Sequence, residues 1–275
     1  MKKIAIIGAG VYGCWIAFTL SKKGYEISIF EKNNEIISES SKLNQYRIHR
    51  GYHYLKSLNT AYRCQINYNR FLSFFPTVVF SDFESYYGIA KANSNITTNN
   101  FEKICNILKL PFTEENNFNE RIFNPHFIEK LYRVDEKIYN VIELRKKLLE
   151  LIDHKNISTF LNTEVETINE TYLKTNKNEK HNFDYVFNCT YSDIGQFKKI
   201  SEKKLDLTYV LSEIGVIKMP DKINNLGVTI IDGPFFSVLP MDKELHTISH
   251  VQFTHLDRND KNIYSNKKKY LNEKY

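Results

Sequence analysis

Short apolar runs bounded by polar turns open the chain and predict a strand, a helix and a second strand. Lys3–Ile7 is rich in β-branched residues and short, which is typical of a buried strand. Cys14–Lys22 has the spacing of a helix that stops at Gly24, and Tyr25–Phe30 is again strand-like. A strand, a helix and a strand in this order predict an α/β fold with a parallel sheet.

Farther along the chain, strand-like segments outnumber helical ones. Helical spacing predicts helices at Thr60–Phe75, Phe101–Leu110 and Val141–Asp153. The other apolar or alternating segments predict strands at Val78–Ile89, Ile157–Phe160, Thr163–Ile168, Tyr172–Lys174, Phe183–Asn188, Leu205–Met219, Gly227–Leu239 and Leu245–Phe253.

The turn after the first strand has the glycine pattern of a dinucleotide-binding loop. Gly8 permits the tight turn, Gly10 lets the backbone approach a pyrophosphate, and Gly13 lets the helix pack against the strand. The helix N-terminus offers N–H groups to the phosphates, and Glu31 ends the second strand where an acid accepts bonds from ribose hydroxyls. This acid disfavours NADP but does not separate NAD from FAD. The predicted loop contacts are Gly8, Gly10, Val11, Tyr12 and Gly13.

A polar, hydroxyl-rich segment follows Glu31 and leads into a basic and aromatic cluster at residues 45–54. The cluster contains two arginines, two histidines and three tyrosines. A guanidinium holds a carboxylate in a fixed plane, and a cation near a flavin stabilises the reduced ring. Two alternatives stay open, a solvated basic helix face and a zinc site at His49 and His53. Gly51 weakens a helix there, and no acid completes a zinc motif.

These segments together resemble the D-amino acid oxidase-like FAD-dependent oxidoreductases. The resemblance implies a Rossmann-like FAD-binding domain interleaved with a mostly antiparallel β-sheet substrate domain, and FAD as the cofactor. Arg47-Ile48-His49-Arg50 is similar to a stretch of the sarcosine oxidase branch, which implies that Arg47 lies against the flavin and Arg50 binds the substrate carboxylate. The hydroxyl-rich loop would then lie beside the flavin, through Lys32, Ser40, Ser41 and Asn44.

The resemblance implies further site residues later in the chain. Val165 matches a valine whose backbone contacts the adenine, and Cys189 and Thr190 match the strand that passes the flavin pyrophosphate. The family has a glycine after this position, whereas this chain has Tyr191. His246 lies nearest to the position of an oxygen-activating lysine, so the predicted catalytic residues are Arg47, His49, Arg50 and His246.

The resemblance also implies two discontinuous domains. We expect residues 1–77 and 134–200 to bind FAD, residues 78–133 and 201–256 to form the substrate domain, and residues 257–275 to be a polar tail. Members of the family are longer, and their last segment returns to the flavin with glycine-bearing turns. Since Gly233 is the last glycine of this chain, the sequence suggests a C-terminally truncated member.

Composition limits the expected partners and cellular location of the protein. Apolar residues make up 42% of the chain, which supports a packed core, and the net charge of +6 is concentrated near the C-terminus. We therefore expect no nucleic acid partner. The four cysteines are widely spaced and predict neither disulfides nor a metal site, so a cytoplasmic location is expected. Glycines interrupt the apolar N-terminal run, which argues against a signal peptide or a membrane span.

Three functions follow from these patterns. The first is an FAD-dependent oxidoreductase that oxidises the C–N bond of an amine or amino acid by hydride transfer to flavin N5, with a small, carboxylate-bearing substrate. The second oxidises a C–O bond, because residues 48–55 also resemble glycerol-3-phosphate dehydrogenases and the basic cluster suits a phosphate. The third is a non-catalytic remnant that binds a dinucleotide.

Overall fold

The opening strand, helix and strand form as the sequence predicts. The computed structural model of the chain describes residues 1–116, 123–197 and 207–259. Strand β1 pairs with β2 in parallel, with Lys3 opposite Glu26 and Ile7 opposite Phe30. The helices are α1 (Val11–Ser21), α2 (Leu58–Phe74), α3 (Thr98–Leu108) and α4 (Val141–Ile152).

The strands account for most of the remaining structure. They are β1 (Lys3–Ile7), β2 (Glu26–Phe30), β3 (Arg47–Ile48), β4 (Val79–Phe80), β5 (Glu84–Ala90), β6 (Phe112–Glu114), β7 (Ile128–Val134), β8 (Lys137–Tyr139), β9 (Ile157–Phe160), β10 (Val165–Ile168), β11 (Tyr172–Thr175), β12 (Lys180–Asn182), β13 (Tyr185–Asn188), β14 (Tyr209–Ser212), β15 (Gly215–Lys218), β16 (Leu226–Ile230), β17 (Phe236–Pro240), β18 (Leu245–His250) and β19 (His255–Asn259).

The first of two compact units contains a parallel sheet. It comprises residues 1–44 and the described parts of 142–211 and 257–259. Its four strands run in the order β13, β1, β2, β9, and every pairing is parallel. A small antiparallel sheet of β10, β11 and β12 packs on it, with Val165 and Leu173 against Ala5, Ile7 and Phe30. This doubly covered sheet confirms the predicted Rossmann-like fold.

The second unit is built around a seven-stranded sheet. It comprises the described parts of residues 45–141 and 212–256. The sheet order is β15, β18, β17, β16, β5, β7, β6, and the β16–β5 pair is parallel whereas the other pairs are antiparallel. On one face, Phe101 of α3 stacks on Tyr132 with ring centres 4.5 Å apart. The mostly antiparallel second domain is therefore as expected.

The boundaries of the units differ from the predicted domains. Residues 45–77 and 134–141 lie in the second unit, although the sequence analysis assigned them to FAD binding. The reason is strand pairing, because β3 and β4 both pair with β8 in a small sheet of the second unit. Residues 257–259 complete β19, and the rest of the predicted polar tail lies outside the described residues.

Two glycines of the first turn differ in the space available for a side chain. A Cβ at Gly13 would lie 1.9 Å from the carbonyl oxygen of Gly8, whereas a Cβ at Gly10 would approach only Ser41 Oγ, at 3.5 Å. We expect Gly13→Ala to lower the free energy of unfolding by roughly 1–3 kcal/mol through overpacking. Gly10→Ala should leave it nearly unchanged. Urea unfolding followed by circular dichroism measures both, and equal midpoints for the two variants would refute this packing.

Candidate functional site

The carboxyl ends of β1, β2 and β13 bring the predicted nucleotide residues to one edge of the parallel sheet. Gly8 follows β1 with a φ of 97°, and its N–H donates to the carbonyl of Phe30 at 2.8 Å. A Cβ at Gly8 would lie 2.8 Å from the carbonyl oxygen of Cys189. The backbone after β13 thus packs directly on the glycine turn, and ligands of open α/β sheets bind at this edge.

Gly10 lies beside an open space at the N-terminus of α1. The nearest group to a Cβ built there is Ser41 Oγ, which also accepts the N–H of Val11 at 3.4 Å. No acidic residue occupies the first turn of α1, and Tyr12 is 79% exposed. An anion at this position would face the positive end of the helix dipole without a side chain in the way. We call Gly8, Gly10, Val11 and Ser41 the nucleotide cradle.

Glu31 is fixed in position by the backbone. Glu31 is only 7% exposed. Its Oε2 accepts the N–H of Ala9 at 2.8 Å, and its Oε1 accepts the N–H of Asn33 at 2.9 Å. A carboxylate offers about four lone-pair positions, so both oxygens retain acceptor capacity for ribose hydroxyls. The nucleotide cradle and Glu31 together therefore fit the pyrophosphate and ribose of a dinucleotide.

The loop after Glu31 is held by its own polar contacts. Lys32 Nζ lies 2.9 Å from Asp193 Oδ2, and Asn44 Nδ2 donates to the carbonyls of Ser40 and Ser41 at 2.8 and 3.4 Å. These contacts shape the loop next to the nucleotide cradle. Contacts of Lys32, Ser40 and Asn44 with a flavin stay predictions.

Three later candidates have internal roles in the first unit. The Val165 side chain is buried in the core between the two sheets, so an adenine contact would involve its backbone alone. Thr190 Oγ1 donates to Asn188 Oδ1 at 2.6 Å, and Cys189 is half-buried with its pKa raised by burial. A thiol with a raised pKa is a weak nucleophile, which agrees with a packing role for Cys189.

Arg47 forms a buried ion pair in the second unit. Its side chain is 5% exposed and that of Glu136 is 3% exposed, and Nη1 donates to Glu136 Oε2 at 2.6 Å. Nη1 also contacts Tyr87 OH at 2.7 Å, and Nη2 donates to Thr229 Oγ1 at 3.0 Å. The guanidinium is therefore engaged by side chains of the unit. Arg47 is a positioning residue in this structure, and its contact with a flavin stays a prediction.

Burial and charge act in opposite directions on Glu136. Burial favours the neutral acid, but the charge of Arg47, the neighbouring His49 and hydrogen bonds from Tyr87 and Arg47 outweigh it and lower the pKa of Glu136. The pair is thus ionised and desolvated. Removing one member of such a pair leaves an uncompensated buried charge.

Arg50 has an acidic partner of its own. Its Nη1 pairs with Asp135 Oδ2, and the guanidinium lies over the ring of Tyr68, 4.9 Å from its centre. Asp135 also accepts Lys137 Nζ at 2.5 Å. Arg50 lines neither of the cavities described below. One nitrogen of the Arg50 guanidinium is therefore already paired with an internal carboxylate. Binding of the substrate carboxylate by Arg50 stays a prediction.

Desolvation favours the neutral form of both histidines of the cluster. Burial lowers the pKa of His49 to about 4, with Glu136 opposing and Arg47 adding to the shift. Burial also lowers the pKa of His53. Their ring centres are 5.5 Å apart, but among the described residues no group of three or more histidine, cysteine or acidic side chains is arranged to hold a metal.

A cavity of about 550 Å³ opens in the second unit. Phe235, Pro234 and Ile230 form apolar parts of its wall. A second cavity of about 190 Å³ shares His53 and Asp232 with it. The polar side chains around the larger cavity include Gln45, His53, Asn95, Asp232, His250 and His255. Sequence reasoning missed Asp232, whose signal is an Asp-Gly-Pro turn between two apolar strands.

His246 differs from the sequence expectation. It lies in β18 opposite Ile217 and Pro240, it is fully buried, and it lines neither cavity. Burial lowers its pKa and so favours the neutral ring. A neutral imidazole inside the sheet has no access to a substrate, so this placement supports a core role and not a catalytic one.

Comparisons with known proteins identify the first part of the chain. A family model described as DAO, FAD dependent oxidoreductase, matches residues 3–86. Residues 3–86 therefore resemble an FAD-dependent oxidoreductase domain of the DAO family. FAD is the cofactor of this family, which makes the nucleotide cradle and Glu31 the candidate FAD contacts of the domain.

The alignments with similar proteins cover most of the chain. The FAD-dependent monooxygenase FPY4 of Fusarium mangiferae is 26% identical over 262 residues, which cover 92% of this chain and 65% of that protein. The chain thus spans less than two thirds of this relative's length. The solved structure of NikD, an unusual amino acid oxidase, has a TM-score of 0.75 and 11% identity, covering 96% of this chain and 73% of NikD.

A second solved structure shares the fold. Glycine oxidase from Geobacillus kaustophilus gives a TM-score of 0.67 at 15% identity, covering 91% of this chain and 72% of that protein. At these identities the two structures show the fold alone. Within the part of the chain that the structure describes, no helix is long and apolar enough to cross a membrane.

The neutral state of His49 predicts a loss of stability in mild acid. Because its folded pKa of about 4 lies below the usual histidine pKa of 6.5, the unfolded chain binds a proton first as the pH falls. We expect the contribution of His49 to be complete above about pH 6.5 and to decline toward about pH 4.

His49→Gln tests this prediction, with His126→Gln at an exposed histidine as the matched control. Urea unfolding is measured at about pH 7 and about pH 5. The wild type and His126→Gln should lose more stability between these pH values than His49→Gln does. An identical loss in all three proteins would contradict the neutral state of His49.

Proposed function

We propose that this chain supplies the FAD-binding and substrate-binding parts of an oxidoreductase that oxidises the C–N bond of an amine or amino acid. The observation that carries the proposal is the nucleotide cradle with its pre-positioned Glu31. Gly10 leaves room for a pyrophosphate, and both oxygens of Glu31 are held by backbone N–H groups before any ligand binds. The amino acid oxidase fold of the structural neighbours supports the C–N bond as the target.

The residues of the chain bind and orient, and the cofactor supplies the oxidation. When bound, FAD accepts the two electrons that the substrate loses. Glu31 would fix the ribose, and the N-terminus of α1 would stabilise the pyrophosphate charge. The larger cavity, with its apolar wall and convergent polar groups, would hold a small molecule away from bulk water.

A second candidate reaction is oxidation of the C–O bond of a hydroxy acid or polyol phosphate. A phosphate needs cationic partners, and the described lining of the larger cavity contains neither lysine nor arginine. This lining favours the amine over the phosphate. Oxygen transfer, which the name of FPY4 reports for that relative, is a third outcome that product analysis would distinguish.

Reconstitution with FAD tests the cofactor half of the proposal. Gly10→Ala adds a methyl group to the nucleotide cradle without a backbone clash, so we expect FAD affinity to fall by about tenfold or more while the fold remains. Gly24→Asn is the control, because this glycine has a φ of 84° and nothing lies within 4 Å of an added Cβ. Equilibrium dialysis measures both variants, and unchanged affinity in Gly10→Ala would exclude the cradle as the cofactor site.

Anaerobic mixing with candidate substrates tests the reaction. Amines or amino acids should bleach the bound flavin, and hydroxy acids and polyol phosphates should not. Arg50→Ala should weaken carboxylate-bearing amines and leave simple amines and FAD content unchanged. Bleaching by hydroxy acids alone would replace the C–N proposal by the C–O one. Equal use of carboxylate substrates by Arg50→Ala would remove the clamp role.

A further inference from the structure

One acidic side chain dominates the charge of the larger cavity. Asp232 lies in the turn between β16 and β17 and lines both cavities. With histidines counted as neutral, it is the formally charged residue in the described lining of the larger cavity. A ligand that enters this cavity therefore meets the carboxylate of Asp232.

Three histidines line the same cavity as Asp232. His250 Nδ1 accepts the N–H of Gln252 at 3.1 Å. Burial lowers the pKa of His53 and favours its neutral form as well. His255 contacts Ser212 Oγ through Nδ1 at 2.9 Å. These imidazoles are polar groups of the cavity wall, and the charged partner of Asp232 is Lys56.

The backbone holds Asp232 in a constrained conformation. Its φ is 63°, in the left-handed region that aspartate and asparagine tolerate better than other side chains. Its carbonyl accepts both the N–H and the Nδ2 of Asn95, each at 2.7 Å. Constrained backbone of this kind concentrates at ligand-binding positions, where the surrounding structure maintains it.

The ion-pair partner of Asp232 within the protein is an exposed lysine. Lys56 Nζ lies 2.7 Å from Oδ1, but the Lys56 side chain is 61% exposed and that of Asp232 is 27% exposed. Oδ2 is shielded from solvent and has no hydrogen-bond partner in the described structure. A half-satisfied carboxylate paired with one exposed lysine gains from a better partner, because exposed ion pairs contribute little.

We propose that Asp232 binds the positively charged amino group of the substrate, and that this group replaces Lys56 as the partner of the carboxylate. The inference rests on the proposed amine oxidation and names its recognition residue. Phe235, Pro234 and Ile230 offer the apolar surface for the rest of the ligand. The substrate class is then a small amine with an apolar body.

Calorimetric titration of the full chain with three probes of one shape tests the charge preference. Benzylamine is cationic, benzyl alcohol is neutral and benzoate is anionic. We expect benzylamine to bind about tenfold tighter than benzyl alcohol, and benzoate to bind most weakly. Absence of benzylamine binding, or equal binding of benzoate, overturns the proposal.

Two substitutions assign the preference to the carboxylate. Asp232→Asn keeps the shape and tolerates the left-handed backbone, so it should abolish the preference for benzylamine over benzyl alcohol without changing the unfolding midpoint. Lys56→Met removes the competing ammonium and should raise benzylamine affinity several-fold. An unchanged preference in Asp232→Asn overturns the assignment.

The outcome is separable from that of the proposed function. Titration needs no flavin, and flavin content and bleaching are measured on the same preparations. A benzylamine preference that depends on Asp232, in a chain whose flavin no amine bleaches, leaves the binding site intact and removes the C–N proposal. If amines still bleach the flavin of Asp232→Asn and bind it with unchanged affinity, the C–N proposal stands. Asp232 is then excluded as the residue that recognises the amine.

Discussion

The buried pair of Arg47 and Glu136 is the constraint on which the second unit depends. Two charges removed from water are tolerated only when hydrogen bonds satisfy them, and here Tyr87 of β5 and Thr229 of β16 complete the set. The pair therefore fixes β3 and the residue before β8 against the parallel β5–β16 pair at the centre of the large sheet. The cavity wall that begins at Ile230, at the end of β16, is positioned through the same strand.

The nucleotide half of the site could be predicted from the sequence because each of its requirements is local. The glycine turn, the first turn of α1 and the acid at the end of β2 are determined by neighbours within a single βαβ unit. The packing of Cys189 on Gly8 follows from β13 joining the same sheet edge.

The substrate half could not be predicted in this way, because its contacts join distant parts of the chain. A basic cluster has the same sequence pattern whether its arginines face a ligand or an internal acid. Arg47 and Glu136 are separated by most of the first half of the chain, and only the fold shows that they pair. The same limitation concealed Asp232, whose cavity neighbours His53 and Asn95 come from other segments.

The exposed fraction of the cation distinguishes two kinds of ion pair. A buried cation belongs to a structural pair, whereas a ligand is able to replace an exposed cation. Arg47 is 5% exposed, so an incoming charge would have to displace a desolvated, multiply bonded group. Asp135 is shared by Arg50 and Lys137, and its charge is compensated twice. Asp232 lines both cavities described above, and its cationic partner Lys56 is 61% exposed. Because solvent already screens that lysine, exchanging it for a ligand ammonium costs little, and the field of the carboxylate acts on the cavity.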